Sequence, residues 1–435
     1  MVLVFCILLR VACAIITGNL QLEIVDIGLN NGVVEAMAWS ADFQIGSENE
    51  QISLYLDFYS NWNYLPLKIL PCNSPKAGAN YLPYPCAKPK NYSCFSTIYD
   101  VAKLTSLKLG CNNTLYDMLI TDKLAIGGYG VGDVDFIAVE KDANFGILAL
   151  GQPDIGTYLG YHKNFVQQLK QRGMIESSVL SLWVNPGNTT EGQFAIGGID
   201  ETKYNGSIYR FPMLNSFPFL KHSMALEVKL DSMIVSKFTF SQPLGMVLNP
   251  NFVESTFPKS YLQAFAKAYG GKLVELDGTY RCAMNRKYLT LNEIVTFRFG
   301  NFNLSVPISS LVKESPLGKV YSTMAFSLAP QCGFDILRYA YIAIDYDNYE
   351  VALGQSKANA WDSEFINATS NLDFILLASG ASDTSLAFLY PLEDLGTALY
   401  TWIDEVASGT LSGSAAFAGP LLGLLGIVAG IFMAI

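Results

Sequence analysis

Hydrophobic and polar residues alternate in short runs between Trp39 and about Asn367, and Gly, Asn and Pro residues interrupt the runs. Two such runs are QFAIGGI and YAYIAIDYDNYEVALGQ. Alternation with a period of two places apolar side chains on one face of a strand, and frequent turn residues keep the strands short. The pattern therefore predicts a mainly β fold with mostly antiparallel strands.

Helical signals are few. Residues 163–172 carry apolar positions at helical spacing, and Gly173 follows them. Residues 258–269 begin with Pro258 and precede two glycines, which is typical of a helix with defined ends. We also expect a short amphipathic helix at residues 392–406.

Two segments of the chain resemble each other. LDFYSNWNYLP at 56–66 and LNPNFVESTFP at 248–258 are both apolar strand ends, followed by a polar turn, an apolar residue and Pro. Their separation is far longer than the repeat of a solenoid, so it indicates two related lobes. We therefore predict an N-terminal β lobe at residues 35–210, a C-terminal β lobe at 211–367 and a linker at 368–407.

The composition agrees with a large folded protein. Of 435 residues, 51% are hydrophobic and 13% are aromatic, which provides a sizeable core and argues against disorder. Lys and Arg number 28 against 38 Asp and Glu, giving a net charge of -10, so nucleic acid is not an expected partner. His162 and His222 have no Cys or carboxylate at ligand spacing. We therefore expect no metal, no cofactor and no histidine-based acyl transfer.

The first fourteen residues, MVLVFCILLRVACA, are apolar apart from Arg10 and end in Ala12-Cys13-Ala14. A small-x-small sequence after an apolar run is typical of a signal peptide, so we predict a signal peptide at residues 1–14. The alternative is a short buried strand.

The C-terminal segment 408–435 has the composition of a glycosylphosphatidylinositol (GPI) attachment signal. A small, polar stretch precedes an apolar tail that runs from Pro420 to Ile435 with no basic residue after it. The attachment site remains open among four small residues: Ser408, Ser412, Gly413 and Ser414. A tail-end transmembrane helix is the alternative, and either would tether the protein to a membrane.

Six Asn-x-Ser/Thr sequons agree with passage through the secretory pathway. They are Asn91, Asn112, Asn188, Asn205, Asn303 and Asn367. With both terminal signals, they predict a glycoprotein at the cell surface, in the plasma membrane or cell wall.

The number of cysteines predicts disulfides if the protein is in an oxidising compartment. Removal of residues 1–14 leaves an even number: Cys72, Cys86, Cys94, Cys111, Cys282 and Cys332. An even number of cysteines in a secreted chain predicts three disulfides. We expect two bridges among the first four cysteines, with their pairing open, and one between Cys282 and Cys332.

Several stretches of the chain are similar to the pepsin-like aspartic proteases, and most similar to GPI-anchored yapsins and secreted fungal aspartic proteases. The resemblance covers roughly residues 35–360. The stretches that carry it are WSADFQIGSENEQISLYLD, FGILALGQP, NFVQQLKQRGMIESSVLSLWVN, GQFAIGGIDETKYNGSIYRFPM, LEVKLDSMIVSKFTFSQPLGMVL, PKSYLQAFAKAYGGKL and AYIAIDYDNYEVALGQ. The resemblance implies a bilobal pepsin-like fold with a cleft between two related β lobes.

The chemistry of that family needs two carboxylates that face each other across the cleft. Two carboxylates about 3 Å apart cannot both ionise, so they share a proton, and one activates water while the other donates to the substrate carbonyl. In the family, each carboxylate lies in an Asp-Thr/Ser-Gly turn, and a flap that carries a Tyr closes over the peptide.

The first turn of this chain keeps part of that pattern. Asp57 matches the first catalytic Asp, whereas Phe58 and Tyr59 replace the Thr and Gly that follow it. The resemblance makes Ser60 and Tyr64 binding residues, since Ser60 keeps the family's Ser and Tyr64 replaces its usual Trp. We expect a bulky ring in the glycine position to push the opposing turn away.

The second turn and the flap depart further from the family. Asn249 takes the place of the second catalytic Asp, and Pro250 and Asn251 follow it. Leu109 takes the position of the flap Tyr. Ala149 replaces the Gly of a structural motif in the first lobe, whereas Gly333 keeps that Gly in the second.

Asn249 predicts an inactive enzyme, because a carboxamide cannot exchange the proton on which the paired carboxylates depend. The leading hypothesis is a monomeric, cell-surface relative of the aspartic proteases that binds a peptide or protein in its cleft. One alternative is an active endopeptidase of unusual design, in which Glu254 partners Asp57. Another is a structural wall protein.

Overall fold

The computed structural model describes a large part of the chain. The described residues are 15–29, 32–45, 50–58, 63–66, 106–108, 116–126, 129–139, 146–152, 163–215, 223, 225–276, 278–368 and 372–379. The predicted signal peptide, the C-terminal segment 408–435 and the helix expected at 392–406 lie outside them. Among the described residues, no helix has the length and apolar character needed to cross a bilayer.

Strands dominate the described chain, as the alternating pattern predicts. The strands before residue 213 are β1 (Ile16–Leu29), β2 (Gly32–Ile45), β3 (Glu50–Asp57), β4 (Tyr64–Pro66), β5 (Ser106–Lys108), β6 (Tyr116–Ile126), β7 (Tyr129–Val139), β8 (Gly146–Ala149), β9 (Val179–Val184), β10 (Glu191–Ile196), β11 (Gly198–Asp200) and β12 (Tyr204–Pro212). The later strands are β13 (Glu227–Leu230), β14 (Ser232–Val235), β15 (Phe238–Phe240), β16 (Leu244–Leu248), β17 (Thr256–Phe257), β18 (Lys272–Leu276), β19 (Thr279–Ala283), β20 (Ile294–Phe299), β21 (Phe302–Pro307), β22 (Val312–Glu314), β23 (Val320–Phe326), β24 (Gln331–Cys332), β25 (Ala340–Asp345), β26 (Glu350–Ser356), β27 (Phe365–Asn367) and β28 (Leu376–Leu377).

The two predicted helices that fall within the described residues are present and are slightly shorter than the sequence pattern indicates. Helix α1 spans Phe165–Gln171, and the Asn164 side chain caps it by accepting a hydrogen bond from the Gln167 backbone N–H. Helix α2 spans Lys259–Ala268 and starts directly after Pro258. A four-residue helix, α3, spans Phe334–Leu337, and 3-10 turns occupy Glu201–Lys203, Arg286–Leu289 and Ile308–Ser310.

The sheets agree with a bilobal β fold. The largest sheet has the order β28-β12-β26-β25-β9-β10-β1-β2-β3-β8-β4-β7-β6-β5. The second half of the chain builds the sheets β13-β16-β24-β17-β23-β19-β18, which β22 joins through β23, and β15-β14-β20-β21. Because β25 and β26 return to the large sheet, it combines strands from both halves of the chain. The predicted fold class is confirmed.

Strand β1 is an element that we did not predict. It lies before residue 35, where the predicted N-terminal lobe begins, yet it pairs antiparallel with β10 and with β2. Ile16, Leu20 and Leu22 on this strand are buried. The period-two spacing of Leu20 and Leu22 was an available signal for a strand.

The structure does not contain the disulfide that we expected between Cys282 and Cys332, because both thiols are free and buried. Cys282 lies on β19 and Cys332 on β24, and β17 and β23 separate these two strands in the sheet. Neighbouring strands are about 4.8 Å apart, so the two cysteines are farther apart than the roughly 7 Å that a disulfide spans. Burial raises the pKa of the Cys282 thiol to about 12. Cys72, Cys86, Cys94 and Cys111 lie outside the described residues.

Four of the predicted glycosylation positions are within the described residues, and all four side chains are exposed: Asn188, Asn205, Asn303 and Asn367. Exposure is a requirement for glycan attachment, so these positions remain predicted sites. Asn91 and Asn112 lie outside the described residues.

Among the described residues, three carboxyl groups have raised pKa values, and burial is the main cause in each: Asp335, Asp345 and Glu350. Asp335 accepts hydrogen bonds from the Ser255 hydroxyl at 2.5 Å and the Thr323 hydroxyl at 2.6 Å, which oppose the effect of burial on its pKa. A carboxyl whose pKa is raised by folding binds its proton more tightly in the folded state. It therefore stabilises the fold at acid pH, and this contribution is lost as the pH rises through the folded pKa.

We expect Asp335→Asn to flatten the dependence of stability on pH. The free energy of unfolding of the native chain should contain a contribution that falls as the pH rises above the ordinary Asp value of about 4, and the variant should lack it. Urea unfolding at pH 4 and pH 7 measures this difference. The control is Glu275→Gln, at an exposed carboxylate on β18, which should keep the native dependence. If Asp335→Asn has the same pH dependence of stability as the native chain, the raised pKa of Asp335 does not contribute to that dependence, and our prediction is wrong.

Candidate functional site

The first turn follows strand β3, which ends at Asp57. Strand β3 pairs in parallel with β8, so that Asp57 lies opposite Ala149. The Leu150 backbone N–H donates to the Asp57 carbonyl at 2.8 Å. These contacts hold the half-buried Asp57 at the end of a paired strand.

A buried amide that the sequence analysis did not identify supports this turn. The Asn63 side chain accepts a hydrogen bond from the Ala149 N–H at 2.8 Å and donates to the Asp135 carbonyl at 3.0 Å. It therefore links β8 to β7 behind Asp57. The predicted binding residues Ser60 and Leu109 lie outside the described residues.

Tyr64, the third predicted binding residue, opens strand β4. Its backbone pairs with Ile137 and Ile147, on β7 and β8. The structure therefore places its backbone next to the strand that ends beside Asp57.

The second turn follows strand β16, and its first residue is Asn249. The Asn249 side chain is buried, with 1% of the residue exposed. Its Nδ2 donates to Gln331 Oε1 at 2.8 Å, and its Oδ1 accepts from the Asn251 N–H at 3.2 Å. These two bonds fix the orientation of a group that cannot ionise.

Asn251 connects the two turns. Its Oδ1 accepts a hydrogen bond from the Phe58 N–H at 3.1 Å, and its Nδ2 donates to the Leu56 carbonyl at 3.1 Å. Leu56 and Phe58 are the chain neighbours of Asp57, so this amide binds the backbone on both sides of Asp57. The Asn251 carbonyl also accepts from the Met37 N–H at 2.9 Å. We call this set of contacts the Asn251 bridge.

The Phe58 ring does not push the opposing turn away, whereas the expectation for a ring in the glycine position concerns Tyr59 and stays a prediction. The Phe58 ring packs edge-to-face on Trp39 at 5.6 Å, and Phe334 packs on the same indole at 6.0 Å. The Trp39 Nε1–H donates to the Pro250 carbonyl at 2.9 Å. Because the Phe58 ring is accommodated in this aromatic cluster, the two turns remain hydrogen-bonded to each other. Tyr59 lies outside the described residues.

Gly333 packs directly against the second turn. A Cβ atom at this position would lie 2.6 Å from the backbone carbonyl carbon of Glu254, so no side chain fits without a backbone shift. The Gly333 N–H donates to the Ser255 hydroxyl at 2.8 Å. This agrees with the predicted role of Gly333 in the structural motif.

Glu254 is the carboxylate that the alternative of an active enzyme pairs with Asp57. Its Oε2 lies 2.5 Å from the Arg281 guanidinium, and its Oε1 forms an ion pair with Lys313. Arg281 also donates to the Thr323 carbonyl at 2.9 Å. Both cations belong to the second half of the chain, on β19 and β22, so Glu254 neutralises charge there.

The arrangement combines an acid at the start of the first turn with a neutral amide at the start of the second. A peptide carbonyl could be hydrogen-bonded at such a site, but the transfer of a proton between two acids needs a second group that titrates. No sequence motif indicated the roles of Asn251, Asn63 or Gln331. The sequence feature that could have indicated the roles of Asn63 and Asn251 is an amide in each of the two turns that follow an apolar strand.

Comparison with known proteins identifies the family. The family model described as eukaryotic aspartyl protease matches residues 41–356. Secreted aspartic protease 9 of Candida albicans is 30% identical over 264 residues, which are 57% of this chain and 48% of that protein. Yapsin-3 of Saccharomyces cerevisiae is 24% identical over 360 residues, 74% of this chain and 67% of that protein. Candidapepsin-4 of Candida albicans is 27% identical over 337 residues, 74% of this chain and 77% of that protein.

The chain thus spans about half the length of the first of these relatives, 48%, and two thirds or more of the other two. The predicted resemblance to yapsins and secreted fungal aspartic proteases is confirmed. The family match and the two strand-end turns joined by the Asn251 bridge lead to one conclusion: the chain belongs to the eukaryotic aspartyl protease family.

Proposed function

We propose that this protein is a catalytically inactive, cell-surface member of the aspartyl protease family that holds a peptide or protein ligand in its cleft. The observation that carries the proposal is Asn249, a buried carboxamide hydrogen-bonded to Gln331 in the position of the second catalytic acid. The retained fold supports a binding role, because the two turns are bonded to each other as a pair.

The chemical reason for inactivity is the loss of one titrating group. Each positioned general acid or base contributes about 10² to 10⁴ in rate. An amide at position 249 can donate a hydrogen bond to a carbonyl oxygen, but it cannot release a proton at any pH at which the protein folds. Residue 249 therefore supplies no proton for Asp57 to share.

The contacts of Glu254 support this proposal over an active enzyme of unusual design. Its carboxylate pairs with Arg281 and with Lys313. Turning it toward Asp57 would leave two cations of the second half of the chain without their counter-ion. For groups that are mostly shielded from water, that change is costly.

The proposed location rests on the sequence signals and on the names of the relatives. The signal peptide predicted at residues 1–14, the four exposed sequons and the GPI signal predicted at 408–435 agree with a tethered surface protein. The relatives include proteins named as secreted aspartic proteases and a yapsin. GPI attachment is part of this proposal.

The test is a digestion of acidified casein and haemoglobin by the purified full chain, with and without pepstatin, beside an active secreted aspartic protease. We expect no cleavage that pepstatin blocks. A second arm selects peptides from a random library at acid pH, and we expect a defined motif whose binding is weakened at least about tenfold by Asp57→Ala. Asn292→Ala, at an exposed amide before β20, is the matched control. Pepstatin-sensitive hydrolysis by the native chain would refute the inactive assignment.

A further inference from the structure

A cavity of about 620 Å³ lies on the large sheet, away from the two turns. Its floor is formed by side chains of β10, β1, β2 and β3, and residues of β27 contribute to its wall. Neither Asp57 nor Asn249 lines it. The volume is within the usual range of small-molecule sites, about 300 to 1,000 Å³. We call this cavity the amide pocket.

The floor of the amide pocket is rich in carboxamide groups. Five amide side chains line it: Asn19, Gln21, Gln44, Gln51 and Gln193. Gln44 lies opposite Gln51 across β2 and β3, and Gln193 Nε2 donates to Asn19 Oδ1 at 3.0 Å. Within the part of the chain that the structure describes, the other three amides have no hydrogen-bond partner. Each amide offers donors and an acceptor, so together they suit a ligand with many hydroxyl groups.

A buried ion pair lies in the lining beside the amides. Asp200 is 2% exposed, and its Oδ1 accepts hydrogen bonds from Thr202 and from the Glu364 N–H. Its Oδ2 is buried and lies 3.6 Å from Lys203 Nζ. This carboxylate is therefore paired within the protein, and the amides are the groups that a ligand can reach.

The charge of the pocket disfavours an anionic ligand. Lys203 is the one cation that lines it within the described residues, and its ammonium donates to the Ala360 and Asp362 carbonyls at 2.6 and 2.9 Å. Asp42 and Asp200 are the acids of the lining. Since the cation is already bonded, the lining has no free positive group for a phosphate or carboxylate, and a neutral ligand fits best.

The wall of the pocket provides an aromatic surface beside the amides. The Phe365 ring on β27 is 40% exposed and lines the pocket. Trp183 contributes a second, buried aromatic ring. An exposed ring next to hydrogen-bonding amides matches a molecule with an apolar C–H face and polar edges, as in a pyranose sugar.

The backbones of β1 and β3 are paired on one side only beside the pocket. Strand β1 pairs with β10 over residues 16–21 but with β2 only from Gln21 onward, and β3 pairs with β8 only from Leu54 onward. A peptide added as a strand is therefore the competing occupant, because strand addition needs an unpaired edge. The five amide side chains favour recognition by side chains, and an uncharged hexapeptide tests the alternative.

From these contacts we propose that the amide pocket binds a neutral oligosaccharide. The amides bond the sugar hydroxyls, and Phe365 packs on the C–H face of one ring. This site is separate from the cleft and does not depend on the proposed function of the cleft.

The test is isothermal titration of the full chain with soluble hexasaccharides of glucose, mannose and N-acetylglucosamine, and with an uncharged hexapeptide. The variants are Gln44→Ala with Gln193→Ala, and Phe365→Ala. The matched control is Gln263→Ala, at an exposed amide on α2. Thermal unfolding of each variant verifies that it is folded.

We expect at least one hexasaccharide to bind with one-to-one stoichiometry. Both pocket variants should weaken this binding at least about tenfold, whereas Gln263→Ala should leave it unchanged. The proposal is overturned if no hexasaccharide binds at millimolar concentration, or if folded pocket variants bind as the native chain does. Binding of the hexapeptide alone would also overturn it.

Discussion

Asn249→Asp alone should leave acid proteolysis at the level of the native chain, whereas reversion of both turns should raise it by about 10⁴-fold. The reversion combines Phe58→Thr, Tyr59→Gly, Asn249→Asp, Pro250→Thr and Asn251→Gly. It restores a second titrating group together with the hydroxyl and glycine that hold each carboxylate in the plane of its partner. This is the largest change in activity that we expect from any substitution in this chain.

The single substitution fails for a geometric reason. A carboxylate at position 249 would face Gln331, which now lies 2.8 Å from the Asn249 amide nitrogen. Pro250 has no hydroxyl to orient that carboxylate, and Asn251 would still bind the backbone around Asp57. Catalysis of this kind depends on acids placed in a fixed mutual geometry, so a misplaced acid contributes little.

Initial rates on a fluorogenic peptide at acid pH measure the effect, with pepstatin as the inhibitor. The control is the reversion variant that also carries Asp57→Ala, which should lose the recovered activity. Thermal unfolding and pepstatin binding establish that the reversion is folded. High activity of Asn249→Asp alone, or a folded, pepstatin-binding reversion without activity, would show that our account of the two turns is wrong.

Asn251→Ala should lower the free energy of unfolding by about 3 kcal/mol. The substitution removes the side-chain bonds of Asn251 to the Phe58 N–H and the Leu56 carbonyl, and a longer one to the Met37 carbonyl at 3.4 Å. These backbone groups would then lack their partner from the second half of the chain. Leaving a buried polar group unsatisfied costs about 1 to 3 kcal/mol, which makes this loss large for one amide.

Urea unfolding compares Asn251→Ala with the matched control Asn292→Ala, whose amide is exposed and should be dispensable. Asn251→Asp separates size from hydrogen bonding, because the carboxylate keeps the shape of the amide but cannot donate to the Leu56 carbonyl. We expect it to be destabilised as well. If both Asn251 variants have the same urea midpoint of unfolding as the native chain, the Asn251 bridge does not stabilise the protein.

The fold could be predicted because its signals are local. Alternating strands, two helices with Pro or Gly at their ends and two similar strand-end turns each depend on neighbouring residues. Strand β1 was missed although Leu20 and Leu22 have the spacing of a strand, because the resemblance used to place the first lobe begins later. The disulfide between Cys282 and Cys332 was wrongly expected because an even cysteine count contains no information on the distance between β19 and β24.

The sequence by itself determined the family, the bilobal β architecture and the amide at position 249, since these follow from residue types and their order along the chain. Only the tertiary structure decided that Asn251 binds both neighbours of Asp57, that Glu254 belongs to Arg281 and Lys313, and that five amides share one cavity. Each of these facts is a contact between segments that are distant in the chain. Such contacts depend on how the strands pack, and residue spacing does not encode them.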